Sequence, residues 1–495
     1  MNDLRFALRM LFKNPGFTAT VVLALALGIG LNSALFTVVY NVLLAPLPYP
    51  DANRIVQVQS VFSTPGKPTE SLSVWAYPRF NLVREHQRVF DHVAAYSSST
   101  FNVTTSGETE RIEAEMVSAA YFPLLGVQPR LGRMFLPEED QSTGAQPVVV
   151  ISEGLWQRRF GGDPAIVGRS LEANRTALTI VGVAPAGFRG QSGAADMWVP
   201  ITLAPVFSGD PQRLKRSGAM WHRVIAKLNS SVTPDAALAG LRVAERQIES
   251  VLPPANKATT WNIRLVPLKE AVTDPTLRRS LWVLAAAVGF VLLVACVNVA
   301  SLFLARTLSR EREFAVRLAL GASSARLMCQ LLMESLVLAI VAGGFALLLA
   351  SWGIHLIAAF QPTPGADPFS EYVQLPDFGT LSLGVPVLLF NFALALGCGV
   401  AFGFMGARYA ARGSLNQSQH GAPALSMGLG RNLGLGGTRG LLVVAQTALA
   451  LWLLIGAGLM VRSFARLISA PIGFDPSHLL TLRLDQPVGT KEAEA

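Results

Sequence analysis

Charge is scarce in this chain. Only 15% of its 495 residues are Asp, Glu, Lys or Arg, against roughly 25% in soluble domains. The scarcity is concentrated. No charged side chain occurs from Asn14 to Pro50, from Ser280 to Ala305, from Leu381 to Ala407 or from Gly440 to Val461, and Gln330 to Phe360 holds only Glu334. Apolar runs of about 18 residues or more can cross a bilayer, so a purely soluble protein is excluded. Cysteine is rare as well. Cys296, Cys329 and Cys398 all lie in or beside the apolar runs. The long polar stretch therefore has no disulfide to draw on, and no Cys/His zinc spacing exists. No phosphate-binding loop is present either: the single Gly-Lys pair, Gly66-Lys67, runs straight into Pro68. The net charge of +9 could suit nucleic acid, but the arginines gather beside the apolar runs. Membrane topology accounts for them, and no nucleic-acid partner is expected.

The remaining sequence orders itself around those runs. Residues 2–13 pattern as a short basic amphipathic helix, with Leu4, Leu8 and Leu11 opposite Arg5, Arg9 and Lys13, suited to a membrane surface. With the break at Asn14-Pro15-Gly16 this gives an interfacial segment, 1–16. Span one follows at 17–44. Its Ala24, Gly28 and Asn32, spaced by four, form a small-residue face for another helix. Residues 46–279 read as an extracytoplasmic α+β domain in two lobes. Strands are expected at Arg54–Ser60, Phe101–Thr105, Arg111–Val117, Pro147–Ile151, Ala177–Val183, Trp221–Leu228 and Trp261–Val266. Helices are expected at Tyr77–Tyr96, Ala119–Leu125, from Ser152 to Gly161, and at Pro234–Val251. His86 and His92 read as a solvated helix face rather than a metal pair. Glu138-Glu139-Asp140 reads as a solvated acidic loop, since no calcium-loop glycine pattern follows.

Residues 280–412 carry spans at 281–305, 331–360 and 381–407. A flexible linker, 413–439, leads to a fifth span at 440–461. Span five and its exit, PIGFDPSHLLTLRL, repeat the pattern of span one and its exit, PLPYPDANRIVQVQ. Residues 462–495 thus read as the start of a second extracytoplasmic copy. Lys and Arg populate the N-terminus, the 306–326 segment and the linker, while 361–380 has none. That bias puts the N-terminus inside and the large domain outside.

The most informative stretch lies between spans two and three. Arg306, Arg310, Arg312, Arg317 and Arg326 would together cost more than roughly 10 kcal/mol to bury in a bilayer. Yet the segment has helical periodicity, with Arg310, Glu313 and Arg317 on one face. Gly321 is placed to end that helix and Ser323 to cap the next. A charged helix at 306–321 that joins two spans can receive a push from a soluble partner, or it can serve only as a connecting loop that fixes topology.

Two stretches carry a family resemblance. The start, LRFALRMLFKNPGFT, and the core, VNVASLFLARTLSREREFAVRLALGASSARLMCQLLMESLVLAIVAGG, resemble MacB/FtsX-like transporter permeases of the duplicated acidobacterial type. Ala119 to Phe122, Leu125 to Val127, Gly132-Arg133 and Phe135 resemble the family's periplasmic core domain. The resemblance implies a four-helix membrane unit, here with a fifth span beginning a repeat, and a large domain inserted between spans one and two. It implies a multi-pass protein of the bacterial inner membrane, with no catalytic or metal site and no cofactor. It implies a non-catalytic permease driven by a separate cytoplasmic ATPase through mechanotransmission, for efflux or for extrusion from the outer leaflet or periplasm. The ATPase contact falls by resemblance on Arg310, Glu311, Arg312, Glu313, Phe314, Ala315, Val316, Arg317 and Gly321. A periplasmic adaptor or a second permease half are further partners it implies. The alternative is an FtsX-like scaffold that relays force to a periplasmic cell-wall enzyme. A secondary transporter is disfavoured because the spans hold His355 and an edge Glu334 but no central carboxylate. An extracytoplasmic enzyme is disfavoured because no Ser/His/Asp or paired-carboxylate arrangement stands out.

Overall fold

The computed structural model describes residues 9, 11–63, 65, 70–105, 108–140, 146–252, 260–271, 273, 275–310, 313, 316–317, 320, 323–359, 383–417 and 436–468. Most of the N-terminal amphipathic segment, the 361–380 loop, the 418–435 linker and the repeat after residue 468 therefore lie outside the described residues. The chain divides into two compact units. One contains the long apolar helices and the other contains the polar domain.

Helix α1, Pro15–Val39, begins after Asn14, whose non-helical backbone ends the preceding turn. Pro15 fits there because the first helical residue needs no N–H partner. The helix runs on as a π-helical turn through Tyr40–Leu44.

The polar unit is organised on one mixed sheet of 12 strands. Its strands are β1 Ile55–Ser63, β2 Glu70–Leu72, β3 Val74–Ala76, β4 Phe90–Thr105, β5 Glu108–Val117, β6 Leu131–Gly132, β7 Val148–Ile151, β8 Ser170–Ala173, β9 Thr176–Val183, β10 Met197–Pro200, β11 Met220–Leu228 and β12 Thr260–Pro267. The main path runs β12-β1-β11-β4-β5-β10-β7-β9-β6. Parallel pairing occurs at β5–β10 and β7–β9. Both faces of the sheet are covered. Helices α2, Tyr77–His86, α4, Glu153–Phe160, and α5, Pro234–Val251, supply Phe80, Leu155, Leu241 and Ile248 to one core. Helix α3, Tyr121–Leu125, supplies Tyr121, Phe122 and Leu125 to the other. In β7, Val149 and Ile151 enter the first core while Val148 and Val150 enter the second. That double burial is why the strand reads as a continuous apolar run. Separate lobes were expected, but the sheet is continuous and the domain forms one compact unit.

Several expected signals hold locally. Ser152 caps α4 by accepting from Leu155 N–H at 3.0 Å, and Gly161 and Gly126 end α4 and α3 in the left-handed conformation. The helix expected over Tyr77–Tyr96 is shorter. It stops at His86, where the Gln87 carboxamide accepts the N–H groups of Val89 and Phe90 at 3.0 and 2.8 Å. Phe90 and Val93 then belong to β4, which is sandwiched between β11 and β5. The sheet ladders on both sides outweigh a weak helical period. His92 is an exposed strand residue, not a helical one.

The helical unit continues with α6, Pro275–Ser309, α7, Ser324–Ala359, α8, Val385–Gln417, and α9, Gly436–Ile468. With α1, five helices among the described residues are long and apolar enough to cross a membrane. The linker expected at 413–439 is shortened at both ends, since α8 runs to Gln417 and α9 begins at Gly436. Small residues set the packing. A side chain at Gly28 would meet Leu292 and Ala295 of α6 at 3.1–3.2 Å, and Asn32 donates to the Val288 carbonyl at 3.1 Å. The small face of α1 therefore seats span two. A Cβ at Gly403 would come within 2.8 Å of Leu332 Cα, so α7 and α8 touch almost backbone to backbone. Cys296 of α6 and Cys398 of α8 face each other as free thiols, 3.7 Å apart. Asn298 accepts from Gln446 of α9 at 2.6 Å, the helix–helix bond its position suggested.

Candidate functional site

The segment after α6 is built from the end of that helix. Thr307 returns its hydroxyl to the Phe303 carbonyl at 2.8 Å, and Arg310 N–H closes a turn on Thr307 at 3.2 Å. Arg306 therefore belongs to the helix of span two, which runs to Ser309. Glu313, Val316 and Arg317 are helical. Ser323 caps α7 through Arg326 N–H at 3.3 Å. Glu311, Arg312, Phe314, Ala315 and Gly321 lie outside the described residues.

Five side chains close a ring here. Arg310 Nη1 donates to both oxygens of Glu334, each at 3.3 Å. Its other donors grip Glu313 at 3.0 and 3.4 Å. Glu313 also accepts from Arg317, whose second nitrogen donates to Gln330 at 3.0 Å. Gln330 then donates to Glu334 at 3.3 Å. Hydrogen bonding to Arg310, ahead of the other influences, holds the Glu313 carboxyl below its usual range. The Arg310 and Glu334 side chains are only 11% and 4% exposed. The periodicity that put Arg310, Glu313 and Arg317 on one face is realised, and that face turns onto α7. Val316, at 59%, and Leu320, at 83%, are exposed. Among the described residues of the segment, the polar ones are bound to the next span and the apolar Val316 and Leu320 are left open.

Sequence reasoning missed Gln330 and the pairing of Glu334. A lone carboxylate in an apolar span demands a partner, and the only cations close in sequence are those of this segment. That was the available signal.

The polar domain holds other buried ionisable groups. Glu139 and Asp140, expected to be solvated, are buried. Glu139 takes Arg133 in a two-pronged contact at 2.7 and 3.1 Å and accepts Leu136 N–H at 2.8 Å. Asp140 accepts from Arg84 at 3.0 Å and from Ala119 N–H at 3.3 Å. Burial still pushes the Asp140 carboxyl up to about 6. Paired this way, Glu139 and Asp140 fasten three elements, while Glu138 faces water as expected. Glu115 is fully buried and accepts from Tyr121 at 2.7 Å, Trp198 at 2.9 Å and Ser192 N–H at 2.5 Å, and burial raises its pKa. These donors are neutral and part of the core, so the group fastens the Arg189–Gly193 loop. His222 is buried against Tyr77, Phe80 and Trp221. No group of three or more metal-ligating side chains is assembled among the described residues.

A helical membrane unit with one large folded domain inserted after its first span defines a class of polytopic membrane protein. Residues 18–244 match the family model of the MacB-like periplasmic core domain, and residues 285–415 match that of the FtsX-like permease C-terminal region. The chain belongs to the MacB/FtsX-like permeases. It is 29% identical over 328 residues to a macrolide export ATP-binding/permease protein MacB 1/2 of Paracoccus denitrificans, covering 65% of this chain and 44% of that protein. It is 24% identical over 329 residues to MacB of Neisseria gonorrhoeae, covering 64% and 46%. The chain thus spans less than half the length of these relatives. The periplasmic region of MacB from Actinobacillus actinomycetemcomitans aligns with 41% of this chain and 87% of its own, at 13% identity and a TM-score of 0.30.

Proposed function

We propose that this chain is a non-catalytic permease subunit of an ABC transporter, serving efflux or extrusion from the periplasm or outer leaflet and worked by mechanotransmission from a separate cytoplasmic ATPase. The N-terminus and the 306–321 segment face the cytoplasm in this reading, and the inserted domain faces the periplasm. The observation that carries it is the ring at Arg310, Glu313, Arg317, Gln330 and Glu334. It fastens the segment to α7 and leaves Val316 and Leu320 outward. A partner that docks on those two side chains moves α7 directly. The matched relatives are named for macrolide export together with ATP binding, and that pairing supports export as the task of this chain. Glu311, Arg312, Phe314, Ala315 and Gly321 complete the docking segment in the proposal.

The test is affinity capture of the full-length chain from membranes of its own cell, with the captured ATPase identified by mass spectrometry. Val316→Asp with Leu320→Asp is expected to abolish capture while the melting temperature stays unchanged, because both side chains are already exposed. Undiminished capture would overturn the docking role.

A further inference from the structure

Arg306 precedes Arg310 by four residues at the end of α6, so the two project to the same side. Its guanidinium carbon lies 4.5 Å above the Phe17 ring. Both Nη atoms are buried, and neither has a hydrogen-bond acceptor. A buried donor in that condition is destabilising. Arg310, one helical turn further on, reaches Glu334 of α7, so that carboxylate is presented on the side where Arg306 lies. Glu334 is engaged elsewhere: Arg310 holds both of its oxygens, at 3.3 Å each. Those contacts are long for charge-assisted bonds, which close to about 2.7–2.9 Å. Arg310 has a second carboxylate of its own, Glu313, at 3.0 Å. Two cations thus share one side of the chain at the end of α6, a single buried carboxylate of α7 is held by the second of them, and that cation also holds Glu313.

We infer that Glu334 is a transferable latch: it holds Arg310 in the arrangement described here and passes to Arg306 when the segment beyond Ser309 moves, while Arg310 stays with Glu313. The exchange breaks one ion pair and forms another. Glu334 never stands buried without a cation, which is the state that makes breaking such a pair costly. Arg306 is then a positioning residue, stacked on Phe17 in readiness for the released carboxylate. The inference rests on the permease reading only for what moves the segment. The exchange itself is a property of this chain and needs no partner.

It is tested by thermal unfolding of the full-length chain in lipid nanodiscs, followed by tryptophan fluorescence, for Arg306→Gln, Arg310→Gln and the double variant, each also combined with Glu334→Gln. Either single variant leaves Glu334 one guanidinium, so each lowers the melting temperature slightly. The double variant is expected to lower it by more than the two single shifts together, and Glu334→Gln is expected to remove that excess. Additive shifts, or an Arg310→Gln shift as large as that of the double variant, overturn the inference. A second measurement guards against simple misfolding. A spin label at Val316→Cys, with Cys296, Cys329 and Cys398 changed to Ala, should become more mobile in Arg310→Gln and remain unchanged in Arg306→Gln. Equal mobility in the two variants overturns the latch. Neither readout involves the ATPase, so failure here is distinct from failure of the docking proposal.

Discussion

Asn391 in span four accepts the hydroxyl proton of Ser33 in span one at 3.0 Å and donates to the Gly343 carbonyl of span three at 3.2 Å. One carboxamide ties three helices together. Ser33 and Asn391 are both buried, so their polar atoms have no easy alternative. Asn391→Leu is expected to lower stability by about 1 kcal/mol, the usual scale of hydrogen bonds between membrane helices. The loss would appear as a lower midpoint in thermal unfolding in nanodiscs. Asn391→Asp keeps the acceptor but adds a charge, and is expected to cost more.

The contact at Gly403 has no room to spare. An added Cβ would lie 2.5 Å from Ser335 Oγ and 2.6 Å from Leu332 Cδ2. Gly403→Val therefore has to push α7 and α8 apart, at a cost of about 1–3 kcal/mol for overpacking. Gly397 has open space around its Cβ position, and Gly397→Ala should be close to neutral. Comparing the two melting temperatures separates close packing from a general aversion to side chains on this helix.

Arg133→Ala should weaken the inserted domain. It strips the two-pronged partner from Glu139, whose side chain is 7% exposed. Arg133 itself is 41% exposed, so water screens part of the pair and the expected loss is about 1–2 kcal/mol. Glu139→Gln with Arg133→Ala should recover part of it, because no buried charge then stands alone. Denaturant titration of the full chain, read by the domain tryptophans, measures both.

Two groups in the domain respond to acid in opposite directions. Burial holds His222 at about 3 rather than 6.5. Its contribution to stability is complete above pH 6.5 and is lost as pH falls toward 3. Burial lifts Asp140 from 3.8 to about 6. Its contribution is complete below pH 3.8 and is lost as pH rises through 6. Between about pH 4 and 6 the two slopes oppose each other, each at up to ~1.4 kcal/mol per pH unit. His222→Phe should therefore make stability rise more steeply on acidification across this window. Asp140→Asn should make it fall more steeply. Melting temperatures at several pH values decide the matter, and an unaltered profile in both variants would falsify the assignment.

The legible parts of this molecule were those where one physical demand acts alone. A bilayer tolerates few charges, so the spans announced themselves as runs with no charge or, in span three, one. Ser152, Gly126 and Gly161 marked helix ends because caps and left-handed turns admit few residue types. Legibility failed where a distant partner decides. Phe90 and Val93 fit a helical face until β11 and β5 compete for their backbone. Glu139 and Asp140 resemble a wet loop until Arg133 and Arg84 arrive, the latter 56 residues away in the chain. At the segment after span two, the shared face of Arg310, Glu313 and Arg317 was visible in their spacing. Its target, Gln330 and Glu334 across a turn, was not.

The pairing of β1 with β12 constrains how the molecule can move. The two strands run antiparallel, with Val56 opposite Pro267 and Ser63 opposite Thr260. The chain enters the domain just before the first of these strands and leaves just after the second, so both covalent leads emerge at the same end of one ladder. Drawing those leads apart would peel the ladder open rung by rung, a direction in which a sheet yields easily. Shifting them in concert leaves every rung unstrained. Within the helical unit, spans one and two are likewise held together, by the close seat of Gly28 on Leu292.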